Sequence, residues 1–403
     1  LKRIPIFILG VLVSIGTFWS FNRGGQDFAV FFEAWRLVSH GHGSEIYTNS
    51  PDRFLYAPGF AWIFSPLGFL PKFYALAIWS LAKAVAIYGM VHALASNLTD
   101  AGESPTSAHA IAAGGFILLA RPLLIDFQYG QVNTFILAAS LWALLAFLNP
   151  KPNSKQVACA WFLLGVVAVS KLFALPLLFL PFFRAKNSAS NTARFAAFAG
   201  VFFAAAIPVT TMGFSGALAL MGAWREALVA KGLPFESHNQ SFIAFLHHYF
   251  TVEPTHVIAH GSIWVVLGNE FLTLQRITEL SLAWSFVFIG LLGAWVIRSE
   301  RVQTFRWVAV VLALLFLPSY LVWKPYFVLG YPLAVLLLWR HRSKAWLIAL
   351  GFVAMNLTGF DFIGDYWASR LEAASIFLFV HLMYLAIALW AKPDASIQLQ
   401  AAP

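Results

Sequence analysis

Long apolar runs are the feature that most constrains this chain. Runs long enough to cross a bilayer occupy Ile4–Phe21, Phe73–Ala95, Val132–Leu148, Phe195–Met212, Leu280–Ile297, Trp307–Trp323 and Leu371–Ala391. Shorter or interrupted runs lie at Tyr56–Leu70, Ala108–Phe127, Val157–Ser170, Leu172–Phe183, Pro325–Trp339 and Ala345–Phe360. A helix needs about 20 apolar residues to span the hydrocarbon, so the shorter runs are expected to be tilted, paired or re-entrant. The expected fold is an all-α polytopic membrane protein of about 11–13 transmembrane or re-entrant helices. Composition agrees. Hydrophobic residues make up 60% of the 403 and charged residues only 11%, against about 25% charged in soluble domains. A soluble core of this length cannot hide so much apolar surface. Residues 1–391 read as a single transmembrane domain, with 392–403 as a short mobile tail.

The formal charge of +9 does not point to nucleic acid. Its Lys and Arg residues gather in short clusters between apolar runs, with no basic stripe and no interleaved aromatic pattern. The clusters Lys2/Arg3, Lys151/Lys155, Arg184/Lys186/Arg194, Arg298/Arg301/Arg306 and Arg340/Arg342/Lys344 can share one side, which the positive-inside rule makes the cytoplasm. The polar loops 22–55 and 213–279 then face outward. This parity requires one segment between residues 56 and 127 not to cross. The short, proline-bracketed Tyr56–Leu70 is the expected one. The loop Asn97–His109 pulls the other way, because it carries Asp100 and Glu103 and no Lys or Arg. The first run lacks a small-residue cleavage site and reads as a retained helix rather than a signal peptide. The lone Cys159 permits no internal disulfide and reads as a packing residue. Within the first outer loop, Phe28, Phe31, Phe32, Trp35 and Val38 recur at helical spacing. This predicts an amphipathic surface helix over Asp27–Ser39, and Gly216–Ala230 looks similar.

Several polar residues stand where chemistry at an outer membrane face requires them. Asp27 opens the surface helix. A carboxylate there can take the proton of an acceptor hydroxyl, although an acid in a first helical turn also stabilises the helix dipole. Tyr47 and Tyr56, in the Gly/Pro-shaped stretch Gly41 to Pro58, are candidates for stacking on a sugar or serve as interfacial anchors. Gln131 and Asn133, at the outer mouth of a helix, offer donors and acceptors to sugar hydroxyls, or cap the helix. His238, Asn239 and Gln240 form a polar trio in the large outer loop and are candidates for binding substrate, although the histidine could equally be a surface residue. Lys171, Lys324 and Tyr326, at outer ends of spans, suit an anionic phosphate or simply snorkel. Arg121 and Asp126 lie in or near an apolar run, where charges pair or line a cavity. His247, His248, His256 and His260 lack the spacing of a zinc protease, so no metal is expected.

Taken in order, these residues resemble glycosyltransferase family 87. The resemblance runs from Asp27 through the Gly43–Tyr47 turn, Tyr56-Ala-Pro58, Pro66 with Pro71, Gly130-Gln131-Val-Asn133, Lys171 with Pro176, and Asn239-Gln240-Ser241. It covers most of residues 4 to about 340, and the order of the motifs against the spans is more specific than any one motif. It implies a GT-C-like fold and a mannosyltransferase-like activity in the cell envelope. The donor would be a polyprenyl-phosphate sugar, and the acceptor a lipid or glycan hydroxyl among the membrane lipids. Asp27 would be the general base of an inverting transfer. No cofactor is implied. The enzyme would be a multi-pass protein of the inner (plasma) membrane, with its active site facing the periplasm or cell exterior.

One stretch departs from the family pattern. Many members carry Ser-Pro-x-x-Trp with an acid and two histidines at the late span. Here the chain reads Leu317-Pro-Ser-Tyr-Leu-Val-Trp323-Lys-Pro-Tyr326. Lys324 and Tyr326 instead resemble the Lys-x-Tyr arrangement of lipid-A aminoarabinose transferases, so the donor sugar does not carry over. Two other classes compete. A transporter or flippase of lipid-linked sugars would favour internal repeats, and none is evident. A polysaccharide polymerase or ligase would share the donor without singling out Asp27.

Overall fold

A computed structural model gives the structure of the chain and describes residues 3–48, 54–149, 151–183, 188–231, 236–250, 255–257, 261–263, 304–390 and parts of 273–290. Much of the expected run Leu280–Ile297, His260 and the tail 392–403 lie outside the described residues. The described chain is helical apart from a short antiparallel pair, Thr255–Val257 with Gly261–Ile263. Three helices are long and apolar enough to cross a membrane: Ile4–Arg23, Lys72–Asp100 and Ala189–Lys231. Two bent pairs, Pro105–Leu118 with Ala120–Tyr129 and Asp365–Ala373 with Ile376–Trp390, raise the number to five if each is one broken span. Shorter apolar helices account for other expected segments, including Asn133–Leu148 and Ser154–Ala168.

The chain divides into two compact units. One comprises residues 14–87 and 126–232 and the other 1–13, 88–125 and 233–403.

α1 (Ile4–Arg23), whose second half opens the first unit, has 20 residues, which at 1.5 Å rise covers about 30 Å, the thickness of the hydrocarbon. Gly24 and Gly25 follow with φ of +70° and +55°, a left-handed conformation that glycine adopts without a Cβ penalty. They turn the chain abruptly into α2 (Gln26–Ser39). As its spacing predicts, α2 is amphipathic, with Phe28, Phe31, Ala34, Trp35 and Leu37 buried. Arg36 pairs with Glu33 at 2.7 Å on the outer face. The segment expected not to cross folds as α3 (Pro58–Phe64) and a 3-10 turn over Ser65–Phe69, too short to span. Phe31, Trp35 and Trp79 mesh with Phe60 and Phe64 in an aromatic core. The run Ser188–Lys231 breaks at Gly213. Its first part lies against α8 (Ser154–Ala168) through Gly165 and Gly200, where an added Cβ would come within 2.2 Å of a carbonyl of the facing helix. Small residues let membrane helices approach this closely.

In the second unit, the helix Pro105–Leu118, capped by Ser104, packs on Tyr331–Arg340, with Phe116 stacked on Tyr331 at 3.7 Å. Arg121 pairs with Asp361, and its backbone N–H donates to Asn356 at 2.7 Å. The side of the loop Asn97–His109, which its own charges left ambiguous, is fixed by its neighbours. Glu103 lies 3.6 Å from Arg342, and Pro105, Thr106 and His109 line a cavity with Arg3. The loop therefore shares a side with two of the basic clusters, and Glu103 compensates one of them.

Candidate active site

The first unit gathers most of the outer-face candidates. Gly130 has φ +68°, and an added Cβ would lie 2.5 Å from the Cβ of Phe28. The turn before α7 (Asn133–Leu148) can therefore press directly on α2. Trp79 Nε1 donates to the Gly130 carbonyl at 2.8 Å and pins the same turn to α4 (Lys72–Asp100). This close approach carries Gln131 to Asp27, whose Oδ2 accepts from Gln131 Nε2. Gln131 is buried, and its carbonyl Oε1 accepts from Tyr56 OH at 3.3 Å and Lys171 Nζ at 3.1 Å. Lys171 also donates to Asn133 Oδ1 at 3.0 Å. Asn133 Nδ2 in turn donates to Asp126 Oδ1 at 3.1 Å. Asp126 is fully buried and takes further bonds from Thr134 Oγ1 at 2.6 Å and Lys83 Nζ at 2.8 Å.

Two carboxylates thus belong to one polar chain, and they differ. Both oxygens of Asp126 accept hydrogen bonds and no surface is exposed. Asp27 is half-buried, and among the described residues only its Oδ2 is engaged. It is the more accessible of the two. Burial pushes its acidity up to about 6, with Lys171 and the Gln131 bond holding it down and the Asp126 charge adding to the rise. The Lys171 ammonium is pulled down to about 7, again first by burial. Tyr47 meets the cluster indirectly. Its hydroxyl donates to the Tyr56 carbonyl at 2.7 Å and holds that loop.

In the second unit, Glu372 is the organising group. Its buried carboxylate faces His238 Nδ1 at 2.5 Å on one oxygen and Lys324 Nζ on the other. Because a carboxylate only accepts, Nδ1 carries the donated proton, and the histidine side chain is partly exposed. Asn239 and Gln240, expected to bind substrate, are fully buried. Asn239 donates to the Tyr320 carbonyl at 3.0 Å and accepts from the Val322 and Ser241 amides. Gln240 donates to the Glu372 carbonyl at 2.7 Å and accepts from the Phe377 amide. These amides tie the His238 loop to the segments that carry Lys324 and Glu372. Tyr326 is buried on the same 3-10 turn as Lys324.

Sequence reasoning did not single out Lys83, Thr134 or Glu372. Lys83 carried the clearest signal, a lone cation in the middle of an apolar run. Glu372 stands at the start of one. Asp126 was noticed as an intramembrane charge, but not its partner.

The family profile of glycosyltransferase family 87 matches residues 54–318, about two thirds of the chain. The matched stretch contains Tyr56, Lys83, Asp126, Gln131, Asn133, Lys171 and His238, while Asp27, Lys324 and Glu372 lie outside it. No curated protein and no solved structure matches the chain. The match spans well over half of the sequence and takes in most of the Asp27 network: this chain is a membrane glycosyltransferase belonging to glycosyltransferase family 87.

Proposed function

We propose that the enzyme moves a sugar from a polyprenyl-phosphate carrier to an acceptor hydroxyl on the extracytoplasmic face, with inversion at the anomeric carbon. Asp27 Oδ1 takes the acceptor proton as the acceptor oxygen bonds to that carbon. The bond from the carbon to the phosphate oxygen breaks, and the lipid phosphate leaves with the electron pair. A GT-C-like architecture in the plasma membrane suits such a reaction, because the donor arrives through the bilayer. Face assignment rests on α1. The helix covers about 30 Å and Asp27 follows its last turn, which supports a place on the face opposite the start of the chain, where the positive-inside rule puts the sequence's first basic pair in the cytoplasm.

The observation that carries this reading is the state of Asp27. It is a half-buried carboxyl near a membrane boundary, held by one oxygen, with an acidity near 6. A general base works best when its acidity lies near the operating pH. For the carrier phosphate, the pair Lys324 and His238, both set on Glu372, offers charge-assisted donors. Tyr326 is carried on the same turn as Lys324.

The test is incubation of purified enzyme with a panel of polyprenyl-phosphate sugars and membrane lipid acceptors, followed by mass analysis of the lipid products. Wild type yields a lipid heavier by one sugar, and folded Asp27→Asn yields none. Movement of the donor between leaflets with no new product would establish a flippase instead.

A further inference from the structure

We propose that Lys171 is a positioning residue. Through the amides of Gln131 and Asn133 it fixes which oxygen of Asp27 faces the acceptor, and it couples Asp27 to the buried pair Lys83–Asp126. This deepens the reading of Asp27 as the base and rests on it.

Hydrogen-bond sense carries the argument. An ammonium has three donors and no acceptor, whereas an amide presents an acceptor on one side and donors on the other. Lys171 donates to the carbonyl oxygens of both Gln131 and Asn133. Each amide must therefore turn its NH2 away from Lys171, and each NH2 meets a carboxylate. Gln131 meets Asp27, and Asn133 meets Asp126. The Tyr56 hydroxyl reinforces the first amide by donating to the same Gln131 oxygen. If Gln131 flipped, its carbonyl would face a carboxylate and its NH2 an ammonium, so both contacts would turn repulsive. The orientation is locked, Oδ2 of Asp27 is held, and Oδ1 is left for the acceptor proton. Charges alternate along the chain: Asp27, Lys171, Asp126, Lys83. Lys171, Asp126 and Lys83 are also the charged neighbours that act on Asp27. Asp126 in turn is kept in place by Lys83 at 2.8 Å and Thr134 at 2.6 Å. Removing a far member of the chain must therefore be felt at Asp27, with a sign set by its charge.

Labelling with dicyclohexylcarbodiimide tests this on the full-length protein, because the reagent attacks protonated carboxyl groups in apolar surroundings. The extent of Asp27 modification is followed against pH by peptide mass analysis, with no donor or acceptor present. Lys171→Met raises the midpoint of labelling by roughly one pH unit or more, since a neighbouring cation lowers a carboxyl by about 1–3 units. Lys171→Arg restores it towards wild type. Asp126→Asn lowers the midpoint. Should that variant fail to fold because Lys83 is left buried and unpaired, the double variant Lys83→Met/Asp126→Asn keeps the interior neutral, and its midpoint lies close to wild type. Once a donor is known, Lys171→Met lowers kcat at fixed pH and leaves the donor KM unchanged. An unmoved midpoint in folded Lys171→Met, shifts of the same sign in Lys171→Met and Asp126→Asn, or a raised donor KM with unchanged kcat would each overturn the proposal. The last of these would assign Lys171 to the donor phosphate. Because labelling needs no substrate, the relay can fail while Asp27 remains the base, and the base assignment can fail while the relay stands.

Discussion

Replacing Asp27 by asparagine should remove activity and stabilise the protein at neutral pH. In the unfolded chain its carboxyl ionises near 3.8, and in the folded protein near 6. The native state therefore binds a proton more tightly than the unfolded state. Below about 3.8 the group is protonated in both states and costs nothing. Between 3.8 and 6 the unfolded chain gains by ionising while the native one does not, so stability falls as pH rises. Above 6 the loss is complete. One pH unit corresponds to about 1.4 kcal/mol, which gives a penalty of about 3 kcal/mol. Asparagine escapes it and still accepts the Gln131 hydrogen bond. The attraction between the carboxylate and Lys171 is already contained in the value near 6, so the expected gain is about 3 kcal/mol. Thermal unfolding in detergent at several pH values reads this directly. Asp27→Asn should melt several degrees above wild type at pH 7.5, and the two curves should converge towards pH 4. A variant no more stable than wild type at pH 7.5, or a difference that does not change with pH, would refute the view that Asp27 is held in an environment hostile to its charge.

Other expectations follow from the same geometry. Transfer by the wild type should fall about tenfold for each pH unit below 6, as the base becomes protonated, and initial rates between pH 4.5 and 8 check this. Gly130→Ala must place a methyl group against Phe28 at a left-handed φ. It should cost about 2–4 kcal/mol, and an unchanged melting temperature would count against the close approach of the turn to α2. Lys324→Ala should raise the donor KM more than Asp27→Asn weakens donor binding. Glu372→Gln should also raise the donor KM, about tenfold, because Lys324 and His238 lose a shared charged anchor; equal donor affinity in these variants and wild type would remove the phosphate role.

Much of the architecture was legible in the order of residues. Apolar runs fix helices because lipid leaves the backbone no partner except itself. The spacing of Phe28, Phe31 and Trp35 marks an amphipathic helix after the first span, and the structure has it, while the turn made there by Gly24 and Gly25 is a finding of the structure. Tyr56–Leu70 was legible as too short to cross. The loop Asn97–His109 was not, because its own charges misled. Its side follows from Arg342 and Arg3, which are distant in sequence.

The site divides in the same way. That Asp27 stands alone beside an amphipathic face is a property of local sequence. That its partner is an amide 104 residues away is not, and nothing local to Lys83 names Asp126. A charge inside an apolar helix announces that it must be paired, but helix packing chooses the partner. In this chain Gly130 lets one turn press on Phe28 and so delivers Gln131. Sequence set which groups had to be reconciled with lipid, since that demand acts on each residue where it stands. Tertiary structure alone set which of them meet, since a hydrogen bond of about 3 Å depends on how distant helices seat against one another.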